Sequence, residues 1–142
     1  MLEQNKAVVR AYWEAFGAHD IDGMVRCLAP DFVSHDPALP NPDGDLASER
    51  AQVEGTYATF PDLALGVEDL IAEGDMVVSR WTWTATHTGE IHGAVPIPPT
   101  GRKVTVEVIS IQRMASGKIA EKWISFDALG LLQQLGAAPI AR

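Results

Sequence analysis

Apolar and polar positions alternate with two different periods along this chain, and the change from one to the other divides it. From residue 3 to 18 the apolar side chains Val8, Val9, Tyr12, Trp13 and Phe16 recur at three- and four-residue steps. That spacing puts them on one face of a helix. Gly17 and His19 break the pattern, and Asp20 is placed to cap a short second helix. Ile21, Met24, Val25 and Leu28 would point inward from it, and Pro30 would end it. Residues 31–36 read as a short strand. The segment Pro37–Asp45 holds three prolines, an Asn and a Gly, the composition of a loop. Leu46–Phe60 reads as a third helix with Leu46, Val53, Tyr57 and Phe60 on its buried side, stopped by Pro61.

From Leu63 the period becomes two. The pattern predicts strands over 63–72, 76–87, 103–114 and 118–126. Glu73-Gly74-Asp75 and Ser116-Gly117 are the tight turns, and a proline-bearing loop spans 89–101. A short amphipathic helix over 128–135 closes the pattern at Gly136. Helices first and hairpins after predict an α+β fold: a curved antiparallel sheet packed against three amino-terminal helices.

Composition narrows the class. The chain has 142 residues, 46% hydrophobic and 21% charged, which fits one domain over 1–142 and excludes a disordered tail or a coiled coil. The 11 Lys and Arg against 19 Asp and Glu give a net charge of −8, with no basic stripe of the kind that tracks phosphates. Nucleic acid and anionic membrane surfaces are therefore not expected partners. No run approaches the ~18 apolar residues of a membrane span, and residues 1–10 lack the apolar core of a secretory signal. Cys27 is the single cysteine, so no intrachain disulfide forms. The chain reads as soluble and cytoplasmic.

Candidate chemistry comes from strand alternation, because phosphate-loop, dinucleotide, nucleophile-elbow and zinc-protease motifs are all absent. No histidine pairs with another at metal-ligand spacing, so neither a metal nor a cofactor is expected. Val77, Ser79, Trp81, Trp83, Ala85 and His87 share one strand face. The two tryptophans serve either as core or as the walls of an aromatic pocket with His87 at its mouth. In the last strand Ile119, Glu121, Trp123, Ser125 and Asp127 alternate against Ala120, Lys122, Ile124 and Phe126, and the pattern leaves open which set faces inward. Asp127 is either a helix cap or a pocket-edge carboxyl able to move a proton. His35 and Asp36 form either a turn before Pro37 or bring an imidazole into the cavity. Tyr57 is a core residue or a proton donor.

Phe60-Pro61-Asp62, Thr86-His87-Thr88-Gly89, Pro98-Pro99-Thr100-Gly101-Arg102 and Gln133-Gln134-Leu135-Gly136, within a likeness covering nearly the whole chain, resemble the SnoaL-like polyketide cyclases. Those belong to the nuclear-transport-factor-2-like superfamily. The resemblance implies a cone-shaped sheet with a deep cavity, a homodimer or tetramer, and a polyketide-like small-molecule substrate. The family's aldol-type cyclases close a ring without metal or cofactor, using an Asp of the last strand helped by a His on the strand before it. Laid on this chain from Gly117, those positions are Ile124 and Ser110. A later family Asp corresponds to Asp127, and His87 lies in the matching His-Thr-Gly segment. The loop with Ala94, Val95 and Pro96 is a few residues longer than the family's.

These readings define a working set. Asp127, His35 and His87 are the expected acid/base residues; Trp81, Trp83, Trp123, Ser110, Ile124, Phe126 and Tyr57 are the expected substrate contacts. Two other functions fit the same residues: another enzyme of the superfamily (isomerase, dehydratase or epoxide hydrolase), or a non-catalytic binding domain.

Overall fold

The computed structural model describes residues 1–39, 41–92 and 96–137. Its elements are α1 (Leu2–Gly17), α2 (Ile21–Arg26), β1 (Leu28–His35), β2 (Asp43–Asp45), α3 (Leu46–Thr59), β3 (Ala64–Glu73), β4 (Met76–Thr86), β5 (Lys103–Ala115), β6 (Lys118–Phe126) and α4 (Ala128–Gln134). The six strands form one curved sheet in the order β2-β1-β6-β5-β4-β3. Ala94 and Val95, part of the loop expected to be long, lie outside the described residues.

The hairpins follow from local sequence. Ser116 and Gly117, with φ of 52° and 78°, join β5 to β6 through two left-handed residues, the twist that suits a two-residue hairpin. Strands β3 to β6 pair antiparallel throughout. Two features depart from the sequence reading. β1 joins β6 in parallel, with a register shift between Leu28 and Val33. Pro30 lies in that shifted stretch rather than at the end of α2, which stops at Arg26; a bulge tolerates a residue with no N–H to give the ladder. The expected loop 37–45 also contains β2, whose three residues pair with Val33, Ser34 and His35.

Alternation decides which sheet face is covered. Buried and half-buried residues alternate strictly along β4, and the inward set is Val77, Ser79, Trp81, Trp83 and Ala85. Val104, Val106, Val108, Ser110, Gln112 and Met114 are the inward set of β5. α1 packs Val9, Tyr12, Trp13 and Phe16 against this face, with the Trp13 and Trp81 rings 4.2 Å apart. The polar atoms there satisfy one another. Trp13 Nε1 donates to Ser79 Oγ (3.0 Å) and Trp81 Nε1 to Ser110 Oγ (3.4 Å). The two hydroxyls lie 2.6 Å apart, and Gln112 gives its amide N–H to Ser110 while accepting from Ser79. Pairing buried polar groups in this way avoids the cost of leaving them dry. No helix among the described residues is long and apolar enough to cross a membrane.

Candidate functional site

A cavity of about 470 Å³ opens between the concave sheet face, α1, α3 and the β1–β2 connection, within the size range of small-molecule sites. Trp13, Phe16, Trp81, Trp83, Val108 and Phe126 give it an apolar body. Its polar end is made by Ser34, Asp36, Glu49 and Lys122, and the exposed Asn41, Ser48 and Gln52 also line it.

Each polar group is delivered by a local rule. Lys122 lies on the same β6 face as Ile124 and Phe126, two and four residues on, and all three line the cavity. Glu49 is in the first turn of α3, which begins where the Asp45 carboxylate accepts hydrogen bonds from the Ser48 N–H and O–H, both at 2.9 Å. Its position, three residues after Leu46 and four before Val53, puts it in the buried stripe of that helix. Tyr12 comes from the inward face of α1. Lys122 Nζ lies 2.6 Å from Glu49 Oε1 and 3.3 Å from Tyr12 Oη, and the Tyr12 O–H donates to Glu49 Oε1 at 2.9 Å. The side chains of Lys122 and Glu49 are 5% and 9% exposed. Burial, and then the charge of Glu49, hold the Tyr12 phenol well above its ordinary pKa, so it stays a donor.

Asp36 follows β1. Its N–H donates to Pro42 O (2.7 Å), and its Oδ1 accepts from the Ala38 N–H (3.0 Å). Burial raises its pKa above the ordinary carboxylate value; the Ala38 bond and the Lys122 charge oppose this, and the Glu49 charge adds to it. Such a carboxyl at the polar end of an otherwise apolar cavity is suited to taking and returning a proton. Among the described residues no group of three or more His, Cys, Asp or Glu side chains is placed to share a metal ion.

Trp81, Trp83, Ile124 and Phe126 line the cavity, in the positions expected of substrate contacts. Ser110 lies beneath its floor in the buried hydroxyl network and is 1% exposed. Tyr57 gives its O–H to Phe16 O at 2.6 Å and stacks on His19 with ring centres 4.2 Å apart. Burial pushes its pKa up to about 12. Trp123 projects from the opposite sheet face to Lys122 and stacks on His35, 5.5 Å away.

None of the three expected acid/base residues lines the cavity. Asp127 caps α4, accepting from the Gly130 N–H at 2.8 Å. His35 is held between Asp43 (Nδ1, 2.7 Å) and Glu121 (Nε2, 2.6 Å). Those two bonds, Asp43 first, raise its pKa and favour the imidazolium, which alone donates from both nitrogens. His87 is fully buried beside Phe60. Its Nδ1 accepts from the Thr100 N–H (3.2 Å) and lies 2.9 Å from the Thr100 hydroxyl, while Nε2 has no partner among the described residues. The residues missed by sequence reasoning are Tyr12, Trp13, Phe16, Asp36, Glu49 and Lys122. Two signals were available: a lysine in an otherwise apolar strand face, and a glutamate at a stripe position of α3.

Solved structures share the fold of this chain. AclR, a candidate hydroxylase from Streptomyces galilaeus, is 31% identical with a TM-score of 0.85, over 100% of this chain and 87% of that one. IdmH, a candidate polyketide cyclase from Streptomyces antibioticus, is 31% identical with a TM-score of 0.81, over 94% of this chain and 99% of its own. A candidate SnoaL-like polyketide cyclase from Jannaschia sp. CCS1 is 25% identical with a TM-score of 0.84, over 97% and 95%. No curated protein sequence matches the chain. The SnoaL-like polyketide cyclase profile matches residues 6–135, nearly the whole of a chain whose fold is the nuclear-transport-factor-2-like one, and the protein belongs to that family.

Proposed function

We propose that this protein is a cofactor-free cyclase that binds a polyketide-like carbonyl compound in the cavity, with Asp36 as its acid/base residue. The observation that carries the reading is a buried carboxyl of raised pKa on the wall of an aromatic cavity. The two positions that hold the acid/base pair in aldol-type relatives are Ile124 and Ser110 here, and neither side chain moves a proton near neutrality. Asp127 and His87 are engaged in capping and loop contacts, so the proton transfer expected of them falls to Asp36. In the step proposed, Asp36 takes a proton from the carbon beside a carbonyl. The resulting enolate carbon bonds to a second carbonyl carbon, and Asp36 returns the proton to that oxygen.

The test is a tryptophan-fluorescence titration, since Trp13, Trp81 and Trp83 line the cavity. Polycyclic aromatic esters, linear polyketide mimics and steroid-like ketones form the panel. Saturable quenching by one class, retained in Asp36→Asn while turnover is lost, is expected. No response across the panel overturns the reading.

A second copy of the chain is the partner we assign to the outer sheet face. Ile109 and Ile111 are 49% and 36% exposed there, beside Trp123 and a rim of Arg80, Glu107, Arg113 and Glu121. A face carrying both charge signs around an apolar centre suits an isologous dimer. Light scattering of the wild type and of Ile109→Glu tests this: a dimer that dissociates in the variant is expected, and a monomeric wild type rejects it. Action in the cytoplasm remains the expectation for such a chain.

A further inference from the structure

We propose that Lys122 holds the reacting oxygen, so that the cavity selects enolisable 1,3-dicarbonyl or phenolic ligands over hydrocarbons and simple ketones of the same shape. The inference deepens the acid/base reading of the same cavity and rests on it.

An ammonium has three N–H bonds to place. Two of those on Lys122 go to Glu49 Oε1 and Tyr12 Oη. The third has no acceptor among the described residues, although the side chain is 5% exposed and forms part of the cavity wall. An unmade bond from a buried charged donor is costly, and a ligand oxygen satisfies it. The surroundings suit a cation. Glu49 balances it, and the ring centres of Tyr12 and Trp13 each lie 5.5 Å from Nζ, within reach of a cation–π contact. A protonated amine has no lone pair for attack on a carbonyl, so the role left to it is that of a donor.

Asp36 shares this end of the cavity, and its carboxyl senses the Lys122 charge. Base and donor therefore face the same part of a bound ligand. When Asp36 removes the proton, the C–H electron pair forms a C=C bond and the carbonyl π pair moves onto oxygen. That oxygen gains its charge against the ammonium, where a fixed donor stabilises it most. The reverse movement accompanies formation of the new C–C bond. A carboxylate is a weak base, and proton transfer is efficient when the two acidities approach each other. A carbon flanked by two carbonyls meets that condition, and a simple ketone does not.

The experiment is calorimetric titration of the intact protein with 4-nitro-1-naphthol, a planar oxyanion probe, and with 1-nitronaphthalene, which lacks the oxygen. The wild type is expected to bind the naphthol at least about ten-fold more tightly, the value of one charge-assisted hydrogen bond. Lys122→Met is expected to reduce that preference to within about two-fold while still binding nitronaphthalene. The unpaired Glu49 carboxylate left by that variant repels an anion, so Lys122→Met/Glu49→Gln must show the same loss. The bound naphtholate band should also lie further to the blue in the wild type than in either variant, because a hydrogen bond localises the charge. Equal affinity of the wild type for the two probes, or a preference retained in either variant, overturns the proposal and leaves the cavity reading standing. Failure of both probes to bind overturns both.

Discussion

Replacing Lys122 by Met should be among the most damaging single changes in the cavity. Its Nζ and Glu49 Oε1 are 2.6 Å apart, and the two side chains are only 5% and 9% exposed. Removing one partner of a buried pair leaves the other charge uncompensated, at about 3–5 kcal/mol. A domain of this kind has a total stability of about 5–15 kcal/mol, so the variant should fold with a much reduced margin. Glu49 would keep only the Tyr12 O–H as a partner. Lys122→Met/Glu49→Gln removes the stranded charge and keeps an acceptor for Tyr12, so it should recover much of the loss. Urea denaturation followed by tryptophan fluorescence measures all three proteins. A loss below about 1 kcal/mol in the single variant, the value of an exposed pair, refutes the reasoning. So does a double variant no more stable than the single one.

Three further outcomes follow from the same geometry. Asp36 must be ionised to act as a base, so the acid limb of the rate profile should lie above the ordinary carboxylate pKa of 3.8; a limb at or below that value is inconsistent with Asp36 as the base. Asp127→Ala should cost about 1 kcal/mol through loss of the α4 cap and leave ligand affinity unchanged; a weakened ligand with unaltered stability would restore Asp127 to the site. His35→Gln should alter the pH dependence of Tm. The His35 share of stability is full below its unfolded pKa and is lost as pH rises through the raised folded value. Glu121, lowered chiefly by its bond to His35, loses its share as pH falls through the depressed value. The deficit of the variant should thus be largest in the window between those limits, and a deficit independent of pH counts against the clamp.

The element pattern was readable where one period held over a whole element. β6 matches its expected bounds, and α1, β3, β4 and β5 agree within about a residue at each end, the usual uncertainty of helix and strand limits. The inward face of β4 followed from alternation alone. β1 was harder: Pro30 read as the end of the second helix, with the strand starting at residue 31, and only the parallel partner β6 and the register shift make a place for it in β1. β2 has three residues and no side-chain signal of its own. The site was only half legible. The aromatic walls Trp81 and Trp83 follow from strand period. The polar end, with the Tyr12 that bonds to it, does not, because Tyr12, Asp36, Glu49 and Lys122 come from four segments and are spaced by 24, 13 and 73 residues. Each has an ordinary local role, and nothing in one segment signals the other three. Asp127 drew attention as an acid at the end of a strand, but the same position suits a cap, and the cap is what α4 requires.

The most direct test of the central claim is hydrogen exchange at the carbon between the two carbonyls of ethyl benzoylacetate in deuterium oxide, followed by proton NMR. It needs no knowledge of the natural substrate and reads proton transfer itself. Exchange faster than the uncatalysed rate in the wild type and in Asp127→Asn, and abolished in Asp36→Asn, is the predicted result. Exchange that persists in Asp36→Asn, or that disappears in Asp127→Asn, would contradict the assignment of the chemistry to the cavity carboxyl.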